Sequence, residues 1–105
     1  MNPVGESIEA LIARARRYEE REEFINQDDG NAVKAWRDVL ARDPGNREAQ
    51  ESLEQIRTAT RRQLAAALQS GQLATARAVL EQAVAAFPED PEFRAKLEEL
   101  SAADR

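Results

Sequence analysis

A proline-stopped pattern occurs twice in this chain and constrains its fold more than any other feature. Residues 32–44 laid over residues 76–88 pair Ala32 with Ala76, Trp36 with Leu80, Val39 with Ala83, Leu40 with Val84 and Pro44 with Pro88, at a constant offset of 44. Each copy places a small residue first, a bulky residue four positions on, and apolar residues three and four positions further, which puts them on one helical face. The small residue lets a neighbouring helix approach closely, the bulky one fills the next gap, and proline stops the helix. Such a segment cannot bury its face alone, so the chain is expected to be all-α and built of repeated helical hairpins.

Five helical segments follow from their stops and starts. The first is expected after Ser7, a capping residue, with Ile8, Leu11, Ile12, Ala15 and Tyr18 on one face, fading between Glu22 and Gln27. The run Asn26 to Asn31 is turn-forming, so a second helix is expected from about Asp29–Asn31, ended by Asp43-Pro44-Gly45-Asn46. A long third helix is predicted over about 47–70, carrying Ala49, Leu53, Ile56, Thr60, Leu64 and Ala67. Gly71 supplies the left-handed residue that stops it, and a fourth helix follows through Leu73, Ala76, Val79, Leu80, Ala83, Val84 and Phe87. Asp90 caps a last helix that has Pro91 in its first turn and holds Phe93, Leu97 and Leu100. No segment alternates with period two for long enough to be a strand.

These residues resemble the tetratricopeptide repeat family. Its second-helix pattern of small, bulky, small and proline is met by Ala32, Trp36, Val39 and Pro44, and again by Ala76, Leu80, Ala83 and Pro88. The family's first-helix pattern is met by Leu11, Ala15 and Tyr18, with Glu22 where the turn glycine is usual and about five additional residues in the connection. In the second hairpin Gly71 matches the turn glycine, while Leu64 and Ala67 replace the small and aromatic pair and the first helix is some ten residues longer than usual. The resemblance implies a single domain over 1–105: hairpin one at about 7–43, hairpin two at about 47–87 and a closing helix at about 90–102, stacked as a short right-handed solenoid. Gly30-Asn31-Ala32 and Asp43-Pro44-Gly45-Asn46 are similar to the repeat tails attached to bacterial signalling and envelope proteins.

Composition agrees with a helical fold and removes most chemistry. The chain has 20 Ala against 21 Leu, Ile, Val and Phe together, so any core is alanine-rich, and a net charge of -5 is too small to hold it unfolded. With no Cys and no His there is no thiolate, imidazole base or ordinary zinc site, and no metal or other cofactor is expected. Aligning Gly30 to a calcium-loop glycine puts Ile25 and Gln27 at ligand positions and Trp36 at the closing glutamate, which excludes that loop. Glycines 5, 30, 45 and 71 are solitary and form no phosphate cradle, and neither Lys34 nor Lys96 sits in a nucleophile–base motif, so the chain is not expected to be an enzyme. Glu19, Glu20, Glu22 and Glu23 interleave with Arg16, Arg17 and Arg21 as a solvated, ion-paired face. The acidic balance disfavours nucleic acid. No apolar run is long enough to span a bilayer, and the amino terminus lacks the basic start and apolar stretch of a secretion signal. A soluble chain is expected, with the cytoplasm favoured over an excised periplasmic domain.

The remaining function is recognition. In this family the first helices of successive hairpins line a groove that holds partner peptides, and the hairpin matches carry that role onto Arg16, Arg61, Arg62, Leu68 and Lys96. Thirteen of the 15 basic residues are arginine, which suits planar pairing with carboxylates, so a protein or peptide partner bearing acidic groups is expected. The alternative for Arg57, Arg61 and Arg62 is ion pairing with Glu51 and Glu54 along their own helix. The family's Lys and Asn carboxylate-clamp pattern is absent, so binding of chaperone tails is not implied. Two and a half repeats are few for a stacked core, which raises self-association through end faces around Ile8 and Leu11 or Phe93, Leu97 and Leu100 as the second reading. Phe24 and Ile25, in the long first connection, either fold back on the hairpin or stand out as a partner contact.

Overall fold

The computed structural model describes residues 6–25 and 30–103, which form five α-helices with no strand among them. In chain order these are α1 (Ile8–Glu20), α2 (Ala32–Arg42), α3 (Arg47–Gln69), α4 (Leu73–Ala86) and α5 (Pro91–Ala103). The chain divides into two compact units, and the division falls inside α3, between Ile56 and Arg57.

In the first unit α1 packs closely on α2. The approach is possible because alanines stand at the contact: Ala15 and Ala32 are fully buried. Trp36 fills the space beside them, is also fully buried, and donates its indole Nε1–H to Glu19 Oε2 at 3.0 Å. Ser7 and Asn31 cap their helices as the sequence suggests, and Asn46, read from the sequence only as part of the preceding stop, caps α3. Ser7 Oγ accepts from the Ala10 amide at 3.1 Å, Asn31 Oδ1 from Lys34 at 2.9 Å and Asn46 Oδ1 from Ala49 at 2.9 Å.

The first helix ends earlier than its pattern predicts, at Glu20, and the reason is local. Glu22 takes a left-handed backbone with φ 58°, and the Glu22 and Glu23 amides donate to the carbonyls of Glu19 and Tyr18 at 3.0 and 2.9 Å. That is a Schellman closure with glutamate in the glycine position. The chain then returns to α2 through bonds from the Ala32 and Val33 amides to the carbonyls of Glu23 and Phe24. Phe24 is exposed and Ile25 is half-buried. Asn26 to Asp29, and with them part of the excluded calcium loop and of the expected start of the second helix, lie outside the described residues.

In the second unit α4 packs closely on α5. Gly71, at φ 71°, closes α3 by the same pair of bonds, from its own amide to Leu68 and from Gln72 to Ala67. The core gathers Thr60, Leu64 and Ala67 of α3, Ala76, Val79, Leu80 and Ala83 of α4, and the rings of Phe87 and Phe93, which meet at 6.1 Å in a tilted pair. Asp90 caps α5 by accepting from the Glu92 amide at 3.0 Å. Arg77 of α4 reaches the Leu100 carbonyl near the end of α5.

Candidate protein-interaction face

The sequence puts three arginines and no acid on the C-terminal half of α3. In the folded second unit two of them are drawn toward the entrance of α5. Arg57 lies 3.1 Å from Glu89 and 3.6 Å from Asp90, and Arg61 lies 2.7 Å from Asp90 and 3.3 Å from Glu92. Each guanidinium also covers an aromatic ring, Arg57 over Phe87 at 5.2 Å and Arg61 over Phe93 at 5.7 Å. The carboxylate they share is buried: the Asp90 side chain is 5% exposed, against 49% for Glu89 and 56% for Glu92.

Arg61 reaches Glu92 at the entrance of α5, and helical spacing gives the row that each of these two residues belongs to. Arg61, Ala65 and Leu68 follow one another on α3, and Glu92, Lys96 and Glu99 on α5. Ala65, Lys96 and Glu99 are exposed and Leu68 is half-buried, so these two rows together carry small, apolar and oppositely charged side chains at the surface. Arg62, one position round from Arg61, is exposed as well.

The five residues nominated from the sequence are therefore not equivalent. Arg62 and Lys96 are exposed cations, and Leu68 is a partly covered apolar side chain. Arg61 is held by Asp90 and Glu92. Arg16, in the first unit, is exposed but gripped by Glu48 through two bonds of 2.8 and 2.7 Å. That hydrogen bond holds the Glu48 carboxyl below its usual range and raises the Arg16 guanidinium further. Among the expected end-face residues, Leu11 and Phe93 are already buried by this chain, while Ile8, Leu97 and Leu100 are half-buried.

Sequence reasoning missed Arg57 and Asp90 as partners. Helical spacing finds neighbours within a turn or so. Glu89, Asp90 and Glu92, which Arg57 and Arg61 meet, stand 29 to 33 residues away. The one usable signal was Asp90 itself, an acid at a cap beside two phenylalanines.

The first unit also has an open cleft of about 350 Å³ lined by Arg14, Tyr18, Lys34, Ala35 and Asp38. Its charges are answered locally: Arg14 pairs with Glu6, and Lys34 with Asp38 one turn on at 2.6 Å. No cluster of potential metal ligands occurs among the described residues, and no described helix is long and apolar enough to cross a membrane.

Comparison with known families places residues 57–100 on the family model of the tetratricopeptide repeat. The match begins at Arg57, where the second unit begins, and takes in the second half of α3, all of α4 and most of α5. Neither the curated proteins nor the solved structures give a match.

Proposed function

We propose that this chain, whose residues 57–100 match a tetratricopeptide repeat, is a non-catalytic recognition module that holds a segment of another protein on the α3–α5 strip of its second unit. The observation that carries the reading is a repeat of a family given to protein interaction, whose first-helix face leaves Arg62, Ala65 and Lys96 exposed beside a half-buried Leu68. Acidic groups of the partner meet Arg62 and Lys96, and its apolar side chains lie over Ala65 and Leu68. Arg61 forms the wall of the strip, and Arg16 is an exposed arginine of the first unit, held by Glu48.

The test is a peptide array of graded charge probed with the purified chain, then repeated with Arg62→Gln/Lys96→Gln. Binding that falls in the double variant while the melting temperature holds supports the reading; binding that is unchanged refutes it. Light scattering over a concentration series accompanies the array. A persistent dimer of the 11.7 kDa chain that captures no peptide would replace recognition by self-association.

A further inference from the structure

We infer that Asp90 is the positioning residue that sets the charge selectivity of the α3–α5 strip, by withholding Arg57 and Arg61 from an acidic ligand. The inference rests on the recognition reading above and names what tunes it.

Glu89, Asp90 and Glu92 face the two guanidiniums, and they differ in the property that matters for exchange. Glu89 and Glu92 are about half exposed, so a carboxylate arriving from solvent can take their place at little cost, as exposed ion pairs contribute only about 0–1 kcal/mol. Asp90 cannot be displaced in this way. Its side chain is 5% exposed, one oxygen accepts from the Glu92 amide at 3.0 Å, and the other accepts from Arg61 Nη2 at 2.7 Å with Arg57 at 3.6 Å. A ligand that pulled Arg61 outward would strip a buried carboxylate of its counter-charge, which is strongly unfavourable. It would also lift the guanidinium from the Phe93 ring. Two of the three arginines on this half of α3 are thereby kept for the fold, and Arg62 is left to the surface.

The first unit shows what the same position does without the charge. At the offset of 44 that relates the two proline-stopped segments, Asp90 corresponds to Asn46. Asn46 also caps its helix, accepting from Ala49 at 2.9 Å. Asparagine is as good a cap as aspartate, so capping does not require the acid at 90. What the acid adds is the hold on two arginines.

Asp90→Asn is thus the substitution most compatible with the fold, since it copies the other unit's cap. The probe is a fluorescein-labelled, amino-acetylated and carboxy-amidated hepta-glutamate peptide, read by fluorescence anisotropy at low salt. Asp90→Asn is expected to bind it at least about fivefold more tightly than the parent chain, the gain of one additional charge-assisted contact. Glu81→Gln, an exposed site on α4, makes the same change in net charge and controls for it. Adding Arg57→Gln/Arg61→Gln to Asp90→Asn should return the affinity to the parent level, an effect that a merely structural role for Asp90 would not produce. Asp90→Ser, another good cap, is the substitute if the Asn variant melts early.

The inference is overturned if Asp90→Asn binds the probe no better than Glu81→Gln, or if the gain survives removal of Arg57 and Arg61. Binding by the Asn variant alone, with none by the parent, would support the inference while refuting the role of Arg62 and Lys96 in the reading above. Binding by neither would overturn both.

Discussion

Glu22 is a residue in the wrong conformation for its kind, and replacing it tests the repeat reading of the first hairpin through stability. Its φ of 58° puts a β-carbon into the left-handed region, which costs an L-residue about 1–2 kcal/mol relative to its preferred conformations. Glycine removes that strain but lends the unfolded chain more freedom, returning about 0.4–1 kcal/mol of the gain. The Glu22 side chain is exposed, so little packing is lost. Glu22→Gly should therefore stabilise the chain by about 0.5–1 kcal/mol, a rise in melting temperature of roughly 3–6 °C for a domain of this size. Urea unfolding followed by circular dichroism, with an unchanged slope against denaturant, is the assay. Glu22→Ala separates conformation from charge: it also removes the carboxylate beside Glu19, Glu20 and Glu23 but leaves the strain. The converse belongs to Gly71, where φ is 71° and a β-carbon would meet no heavy atom within 4 Å, so Gly71→Ala should destabilise by about 1 kcal/mol for conformational reasons alone. Equal stabilities for Glu22→Gly and Glu22→Ala would refute the assignment of position 22 as a strained turn.

Trp36, fully buried and bonded to Glu19, should lose about 3–5 kcal/mol on Trp36→Ala, whereas Leu73→Ala at a half-exposed site should change stability by less than about 0.5 kcal/mol; matched urea midpoints for the two would contradict the burial. The Arg16–Glu48 pair carries a pH signature. Because Glu48 is held below its ordinary range in the folded chain, the pair stabilises above the unfolded carboxyl pKa of about 4.3 and fades as pH falls through the lower folded value. In Arg16→Gln the Glu48 carboxyl should titrate in the ordinary range, read from its carboxyl carbon by NMR; an unmoved midpoint would assign the shift to another cause.

Much of the fold was legible because helix ends are local. Ser7, Asn31 and Asp90 cap through atoms no more than three residues away, and Gly71 announces its own backbone. Even the departure at Glu22 could be located, since the small and aromatic pair Ala15 and Tyr18 counts forward to it. The proposed recognition residues were legible only in part. Arg62, Leu68 and Lys96 could be placed by helical phase, but whether a guanidinium stays available depends on which acids the chain brings to it from another helix. For Arg61 those acids are Asp90 and Glu92.

That difference separates what the repeat specifies from what it leaves free. Position 46 and position 90 do the same work for their helices, each accepting an amide at the entrance of a helix that follows a proline-stopped one. For capping alone, asparagine and aspartate are equivalent there. The arginines are not indifferent. A neutral cap makes no ion pair, while a charged one holds Arg57 and Arg61 near two buried rings and changes the surface that remains. Under the proposed recognition reading, a position at which capping accepts either residue is one at which a repeat could change what it binds while keeping its helix start, and Asp90→Asn is the substitution that tests this at position 90.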